Sequence, residues 1–312
     1  MSLSSFHRVP TAIGLALLFS VALLGCDSGE EAPPKTDTSS TSVGEEGGAI
    51  GKDGSAAKDS STAPPAKPTR SEGCGTQGVS LGWKDDQPYD VNGTTAYYIH
   101  DLPGDYDPNK AYPVVFGFHG TGGGNWTIGI EEDDVARGDV LFFYPKAPQK
   151  DPGDIYSKDW MFARNLEYFD ALFDYVTSTY CVDLNRVFVT GFSYGADFAQ
   201  TLACDRGHVL RGAAILAGGG RGSREKCKGD PALWFGVDKN DSRNSTEKAL
   251  NSWLTRRACG KDETGFSPAP PCVQYADCPG NEPIVYCLRE GSEHAPPSYA
   301  RASAWALFSN LK

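Results

Sequence analysis

The hydrophobic and polar positions divide this chain into three stretches. A polar start leads into the apolar run "TAIGLALLFSVALLG" (11–25), and residues 27–72 then hold no aromatic and only Val43 and Ile50 as larger aliphatics. From Gly73 onward apolar residues recur in short runs of two kinds. Compact, β-branched and aromatic runs predict strands at "TTAYYIHDL" (94–102), "AYPVVFGFHG" (111–120), "DVLFFYPKA" (139–147) and "NRVFVTG" (185–191). Three more follow at "RGAAILAGG" (211–219), "PALWFGVD" (231–238) and "PIVYCLREG" (283–291). Apolar positions at helical spacing predict helices in "NLEYFDALFDYVTSTY" (165–180), "ADFAQTLAC" (196–204), "TEKALNSWLTRRA" (246–258) and "YARASAWALFSNL" (299–311). Strands alternating with helices of this length imply an α/β fold, a mostly parallel sheet covered on both faces. Its crossovers are right-handed, and ligands gather at the carboxyl ends of its strands. Residues 73–312 have the length for one such domain.

The two leading stretches carry a different message. The apolar run is too short to span a bilayer and fits a signal-peptide core, so residues 1–25 are expected to direct export. "LLGC" ending at Cys26 resembles the lipobox of bacterial lipoproteins, which implies lipidation of that cysteine and attachment to a membrane without a spanning helix. Residues 26–72 cannot bury enough apolar surface to offset their ordering entropy and read as a flexible tether. As a random coil it reaches about 35–40 Å.

Charge and cysteine content narrow the function. The net charge is −11, with no basic stripe interleaved with aromatics, which argues against nucleic acid as a partner. Eight cysteines lie in the domain: Cys74, Cys181, Cys204, Cys227, Cys259, Cys272, Cys278 and Cys287. An even number in an exported chain implies up to four disulfides, whose pairing the sequence leaves open. No C-x-x-C spacing suggests zinc, and no metal is expected.

Two segments fit G-x-S-x-G, the pattern of a hydrolase nucleophile: "GVSLG" at Gly78 to Gly82 and "GFSYG" at Gly191 to Gly195. A nucleophile elbow needs a buried strand, a tight turn and a helix. Ser193 has the strand run before it and the helix run after it, whereas Ser80 has neither, so Ser193 is the candidate. A serine hydroxyl needs a general base, and the base needs a third group to hold its tautomer. Of five histidines, His294 lies in the Gly- and Pro-containing loop after the last strand, where the order Ser, acid, His puts the base; His100 reads as a surface or packing residue and His208 as a polar loop residue. The acid should follow "PALWFGV", where both Asp238 and Asp241 stand. Backbone N–H groups of Tyr194 and Thr121 are the candidate oxyanion donors, the latter in the glycine-rich loop "FHGTGGGNW", with His119 in an orienting or structural role. Trp126, Trp160 and Tyr194 are candidates to stack on an aromatic acyl group. Ser-His-acid chemistry needs no cofactor.

These segments together resemble a known family. "GFHGTGGGNW", "YCVDLNRVFVTGFSYGADFAQTLAC", "DKNDSRN" and "IVYCLREGSEHAPPSYA" are similar to the feruloyl esterase and polyhydroxybutyrate depolymerase group of secreted α/β-hydrolases, and most of all to its feruloyl esterases. The resemblance implies Ser193 as nucleophile, His294 as base and an Asp of the "DKNDSRN" loop as acid. Relatives carry that acid three residues before a pair leading into the next helix, a spacing that Asp241 keeps to Asn244. It further implies a secreted serine esterase acting on feruloyl esters of plant cell-wall polysaccharide, with acetylxylan or polyhydroxybutyrate esters as alternatives. A reading of another class is a surface lipoprotein that keeps the fold only to bind.

Overall fold

The computed structural model describes residues 69–123, 138–148, 162–221, 226–267, 271–280, 282–296 and 298–311. The leader, Cys26, nearly all of the tether, Trp126 and Trp160 lie outside the described residues. Among the described residues ten strands form one sheet. In chain order the elements begin with β1 (Gly82–Val91), β2 (Thr94–Leu102), β3 (Tyr112–Phe118), β4 (Leu141–Pro145), α1 (Phe162–Thr179), β5 (Val182–Phe192) and α2 (Tyr194–Asp205). They continue with β6 (Gly212–Leu216), β7 (Ala232–Asp238), α3 (Thr246–Arg257), β8 (Glu263–Gly265), β9 (Cys272–Tyr275), β10 (Ile284–Arg289) and α4 (Ala300–Asn310). The strands lie in the order β1-β2-β4-β3-β5-β6-β7-β10-β9-β8. From β4 to β10 neighbouring strands are parallel, and the flanking β1, β2, β9 and β8 are antiparallel. This is the mostly parallel, single-domain sheet that the alternation of runs implies, in the α/β-hydrolase arrangement that the resemblance implies.

The central strands β3, β4, β6 and β7 are buried along their whole length, which is why they read as continuous apolar runs. Successive side chains still go to opposite faces. One face takes Val114, Phe116 and Phe118 of β3 and Val187 and Val189 of β5, and packs them on Leu172 of α1, Phe198 and Leu202 of α2 and Trp253 of α3. The other takes Phe188, Leu216 and Trp234, packed on Trp305 and Phe308 of α4. Phe188 and Phe308 stack with centroids 4.4 Å apart, and the Trp234 indole N–H donates to Ser303 Oγ at 2.9 Å, so the largest ring in that layer is also satisfied.

Three strands escaped the sequence reading. β1 is mostly exposed, with only Tyr89 and Val91 buried at its end, and β8 is Glu-Thr-Gly, so neither shows an apolar period, and both are edge strands of the sheet. β9 is four residues long. The cysteines pair as Cys74–Cys181, Cys204–Cys227, Cys259–Cys278 and Cys272–Cys287. The last joins directly opposed residues of β9 and β10, and the first ties the start of the domain to the residue preceding β5. Four disulfides suit an oxidising, extracellular setting.

Candidate active site

β5 runs into α2 through a single strained residue. Ser193 has φ 55° and ψ −118°, a left-handed value that a non-glycine residue adopts at a cost of about 1–3 kcal/mol. The turn is held because the Ser193 N–H donates to Leu216 O on β6 at 2.9 Å and Ser193 O accepts from the Asp197 N–H at 3.1 Å. Its two flanking glycines are sterically required. A Cβ on Gly195 would lie 2.0 Å from the Phe118 carbonyl oxygen of β3, and one on Gly191 would lie 2.1 Å from the Gly195 carbonyl oxygen. Ser80, by contrast, is an exposed residue in irregular chain ahead of β1.

His294 lies in the loop after β10 and bridges two groups. Its Nε2 is 2.9 Å from Ser193 Oγ, and its Nδ1 is 2.6 Å from Asp241 Oδ2. The Asp241 side chain is fully buried and that of His294 only 9% exposed. Phe192 packs against the imidazole with centroids 4.9 Å apart. Asp241 is in turn held by the Arg243 N–H, which donates to its Oδ1 at 2.9 Å. With both carboxylate oxygens engaged, Asp241 accepts the Nδ1 proton and leaves Nε2 with its lone pair toward the serine.

Asp238, the other acidic residue of the segment, goes elsewhere. It ends β7 opposite Arg289, the last residue of β10. The Arg289 guanidinium donates to both of its oxygens at 2.6 Å, and the Glu293 N–H donates to Oδ2 at 3.0 Å. Arg289 and that N–H hold the Asp238 carboxyl below the usual carboxylate range.

The third loop to arrive is His119–Thr121, at the end of β3. Gly120 abuts Ser193: a Cβ there would lie 3.3 Å from Ser193 Cβ. His119 is buried, and its Nε2 accepts from the Ala147 N–H at 3.0 Å, so its proton is on Nδ1, which donates to Gly120 O at 2.7 Å. With that carbonyl pinned, a trans peptide turns the Thr121 N–H to the opposite side. Thr121 itself is exposed. On the far side of the elbow, buried Asp197 accepts from the Gly219 and Arg221 N–H groups at 2.9 and 3.2 Å. The Arg221 guanidinium lies 4.3 Å over the Tyr194 ring and donates to its hydroxyl at 2.9 Å. Sequence reasoning passed over Asp197 and Arg221; the only available signal was an acidic residue in the first turn of the elbow helix. Gly218 and Gly220 pack closely here: a Cβ on Gly218 would lie 2.4 Å from Ser193 O, and one on Gly220 2.3 Å from Ser245 Cβ. Among the described residues no three His, Cys, Asp or Glu side chains cluster to hold a metal ion.

No family model matches the chain. Individual proteins do. It is 27% identical over 269 residues to feruloyl esterase D of Neurospora crassa, covering 77% of this chain and 90% of that one. The protein named "probable feruloyl esterase C" of Aspergillus clavatus is 31% identical over 266 residues, again 77% of this chain and 90% of the relative. The chain belongs to the feruloyl esterase family. It is a carboxylic ester hydrolase. An acetyl xylan esterase from Aspergillus awamori superposes with a TM-score of 0.55 at 15% identity, over 74% of this chain and all of that one, a likeness of fold alone.

Proposed function

We propose that this protein is an exported serine esterase that cleaves feruloyl esters carried on plant cell-wall polysaccharide, with Ser193 as nucleophile, His294 as general base and Asp241 as the acid. The observation that carries the reading is the bridging imidazole, 2.9 Å from Ser193 Oγ on one side and 2.6 Å from Asp241 on the other.

The chemistry follows from that geometry. His294 Nε2 takes the hydroxyl proton as Ser193 Oγ attacks the ester carbonyl carbon, and the negative charge collects on the carbonyl oxygen. The N–H of Tyr194, at the start of α2, and that of Thr121, whose peptide His119 holds, are the donors we assign to that oxyanion. Collapse of the tetrahedral species returns the proton from His294 to the departing alcohol and leaves the acyl group on Ser193. Water, deprotonated by the same imidazole, repeats the sequence and frees the acid. Asp241 stabilises the imidazolium in both halves. Family membership supports the feruloyl group, and the aromatic acyl part is the one that Trp126 and Trp160 would stack upon.

Residues 26–72 serve as a tether and Cys26 as a lipidated anchor, a reading supported by the "LLGC" segment; the four disulfides support export. The test of substrate is kcat/KM of the purified protein on methyl ferulate, a short-chain acetate ester and a hydroxybutyrate oligomer, with Ser193→Ala as the blank. A preference for ferulate is expected. A preference for either other ester overturns the feruloyl assignment and leaves the triad standing.

A further inference from the structure

The β7 and β10 strands end side by side, and the loops leaving them carry the acid and the base. These loops are zipped together. The Lys239 N–H donates to Arg289 O and the Asn240 N–H to Gly291 O, both at 2.9 Å, continuing the strand pairing beyond its last register pair, Asp238 and Arg289. At the centre is Asp238, with its side chain fully buried. It takes three donors: two from the Arg289 guanidinium at 2.6 Å and the Glu293 N–H at 3.0 Å. Glu293 immediately precedes His294. Gly291 lies so close over the carboxylate that a Cβ would be 2.3 Å from Asp238 Oδ2. On the other side the Asp238 carbonyl accepts from the Asp241 N–H at 3.1 Å, so the same residue also fastens the acid loop.

We propose that Asp238 is a positioning residue for the catalytic pair: its buried carboxylate, clamped by Arg289, fixes the Gly291 to Glu293 backbone and thereby sets His294 between Ser193 and Asp241. The inference rests on the triad assignment above and adds to it a residue that touches no reacting atom. Three features support it. The carboxylate is spent on the loop rather than on any ring nitrogen. A charge-assisted bidentate pair is geometrically specific, in a way a single hydrogen bond is not. The Glu293 N–H is the last backbone donor before the base, so its placement is passed directly to the imidazole. A displacement of about 1 Å at a reacting group costs roughly 100-fold in rate, so a loosened loop has a kinetic signature.

The test uses 4-nitrophenyl acetate, an activated ester whose hydrolysis does not depend on the natural substrate, with the full-length protein and three variants: Asp238→Asn, Asp238→Asn combined with Arg289→Gln, and Asp241→Asn. The double variant leaves no buried cation without its partner. At a temperature where circular dichroism shows each protein folded, Asp238→Asn and the double variant are expected to lose roughly 10- to 100-fold in kcat with KM within about twofold of wild type. The acid limb of kcat/KM should also move to lower pH, because an imidazolium less well placed against Asp241 is less stabilised. In the double variant one negative and one positive charge are lost together, so no net charge change near the imidazole contributes to that movement. Wild-type kcat and an unmoved acid limb in either folded variant overturn the proposal. If both lose the folded state altogether, the role of Asp238 is structural and the proposal falls as well. The triad reading fails separately, by Asp241→Asn retaining wild-type kcat.

Discussion

Gly191 and Gly195 touch across the elbow so closely that neither tolerates a side chain: a Cβ on Gly191 would lie 2.1 Å from the Gly195 carbonyl oxygen. Ser193 stands between them at φ 55°, and the contact is what keeps its hydroxyl raised above the sheet. Gly191→Ala must therefore push β5 and α2 apart. It should cost about 3 kcal/mol of stability, read as a lower denaturant midpoint at unchanged slope, and should lower kcat further because the elbow opens. A variant with wild-type midpoint and rate would mean that the contact relaxes freely.

The two G-x-S-x-G segments make opposite predictions. Labelling by a serine-directed fluorophosphonate should vanish in Ser193→Ala and persist in Ser80→Ala. Asp241→Asn should lower kcat by about 10⁴-fold, since an amide in that position holds the imidazole in the wrong tautomer. Persistent labelling of Ser193→Ala would place the nucleophile elsewhere.

His119 should matter through a peptide it does not belong to the far side of. Its Nδ1–H pins Gly120 O at 2.7 Å, and the Thr121 N–H shares that peptide plane. His119→Phe keeps the buried ring and removes both hydrogen bonds. The expected result is a loss of about 100-fold in kcat, the scale of one misdirected oxyanion donor, with KM little changed. Equal losses in kcat for Ser193-independent background and for the enzyme, or a change in KM alone, would count against the assignment.

His100 gives the fold an acid-sensitive point away from the site. It is 1% exposed, among the rings of Tyr98, Phe143 and Tyr180. Burial pushes its imidazole down to about 4. Its folded value lies below the unfolded one, about 6.5, so the unfolded chain takes up the proton first as pH falls. Stability is thus lost between about pH 6.5 and 4, by on the order of 3 kcal/mol. His100→Phe should flatten that part of the stability profile, measured as denaturation midpoints at pH 7 and pH 4.5. Asp238 acts in a lower window: its folded value is depressed, so its contribution is present above the ordinary carboxylate range and disappears only as pH falls through that depressed value.

Much of this protein was legible before any coordinates, because its signals are local. β3, β5 and β7 are apolar runs of the length a buried strand needs, and α2 follows Ser193 with no breaker, so the elbow could be separated from the decoy at Ser80. Other parts carried no local signal. β1 pairs with β2 and is mostly exposed, with only Tyr89 and Val91 buried, which gives it no apolar period that sequence could separate from a loop. Asp197 and Arg221 acquire their roles only because the Gly218 to Gly220 ribbon folds back against the elbow.

Residue type and order along the chain determined the alternation of strands and helices, the choice of Ser193 over Ser80 as candidate nucleophile and the placing of a histidine after the last strand. They did so because propensity, turn geometry and hydrophobic period act over a few residues. Residue type did not separate Asp238 from Asp241: they stand three residues apart at and just beyond the end of β7, both are good turn formers, and only the spacing shared with relatives favoured Asp241. Only the parallel pairing of β7 with β10 brings Arg289 beside the first and His294 beside the second, and that register is set by contacts about 50 residues apart in the chain. The cysteine pairing was decided in the same way, since proximity in space, and not spacing in sequence, chose four bridges among the alternatives.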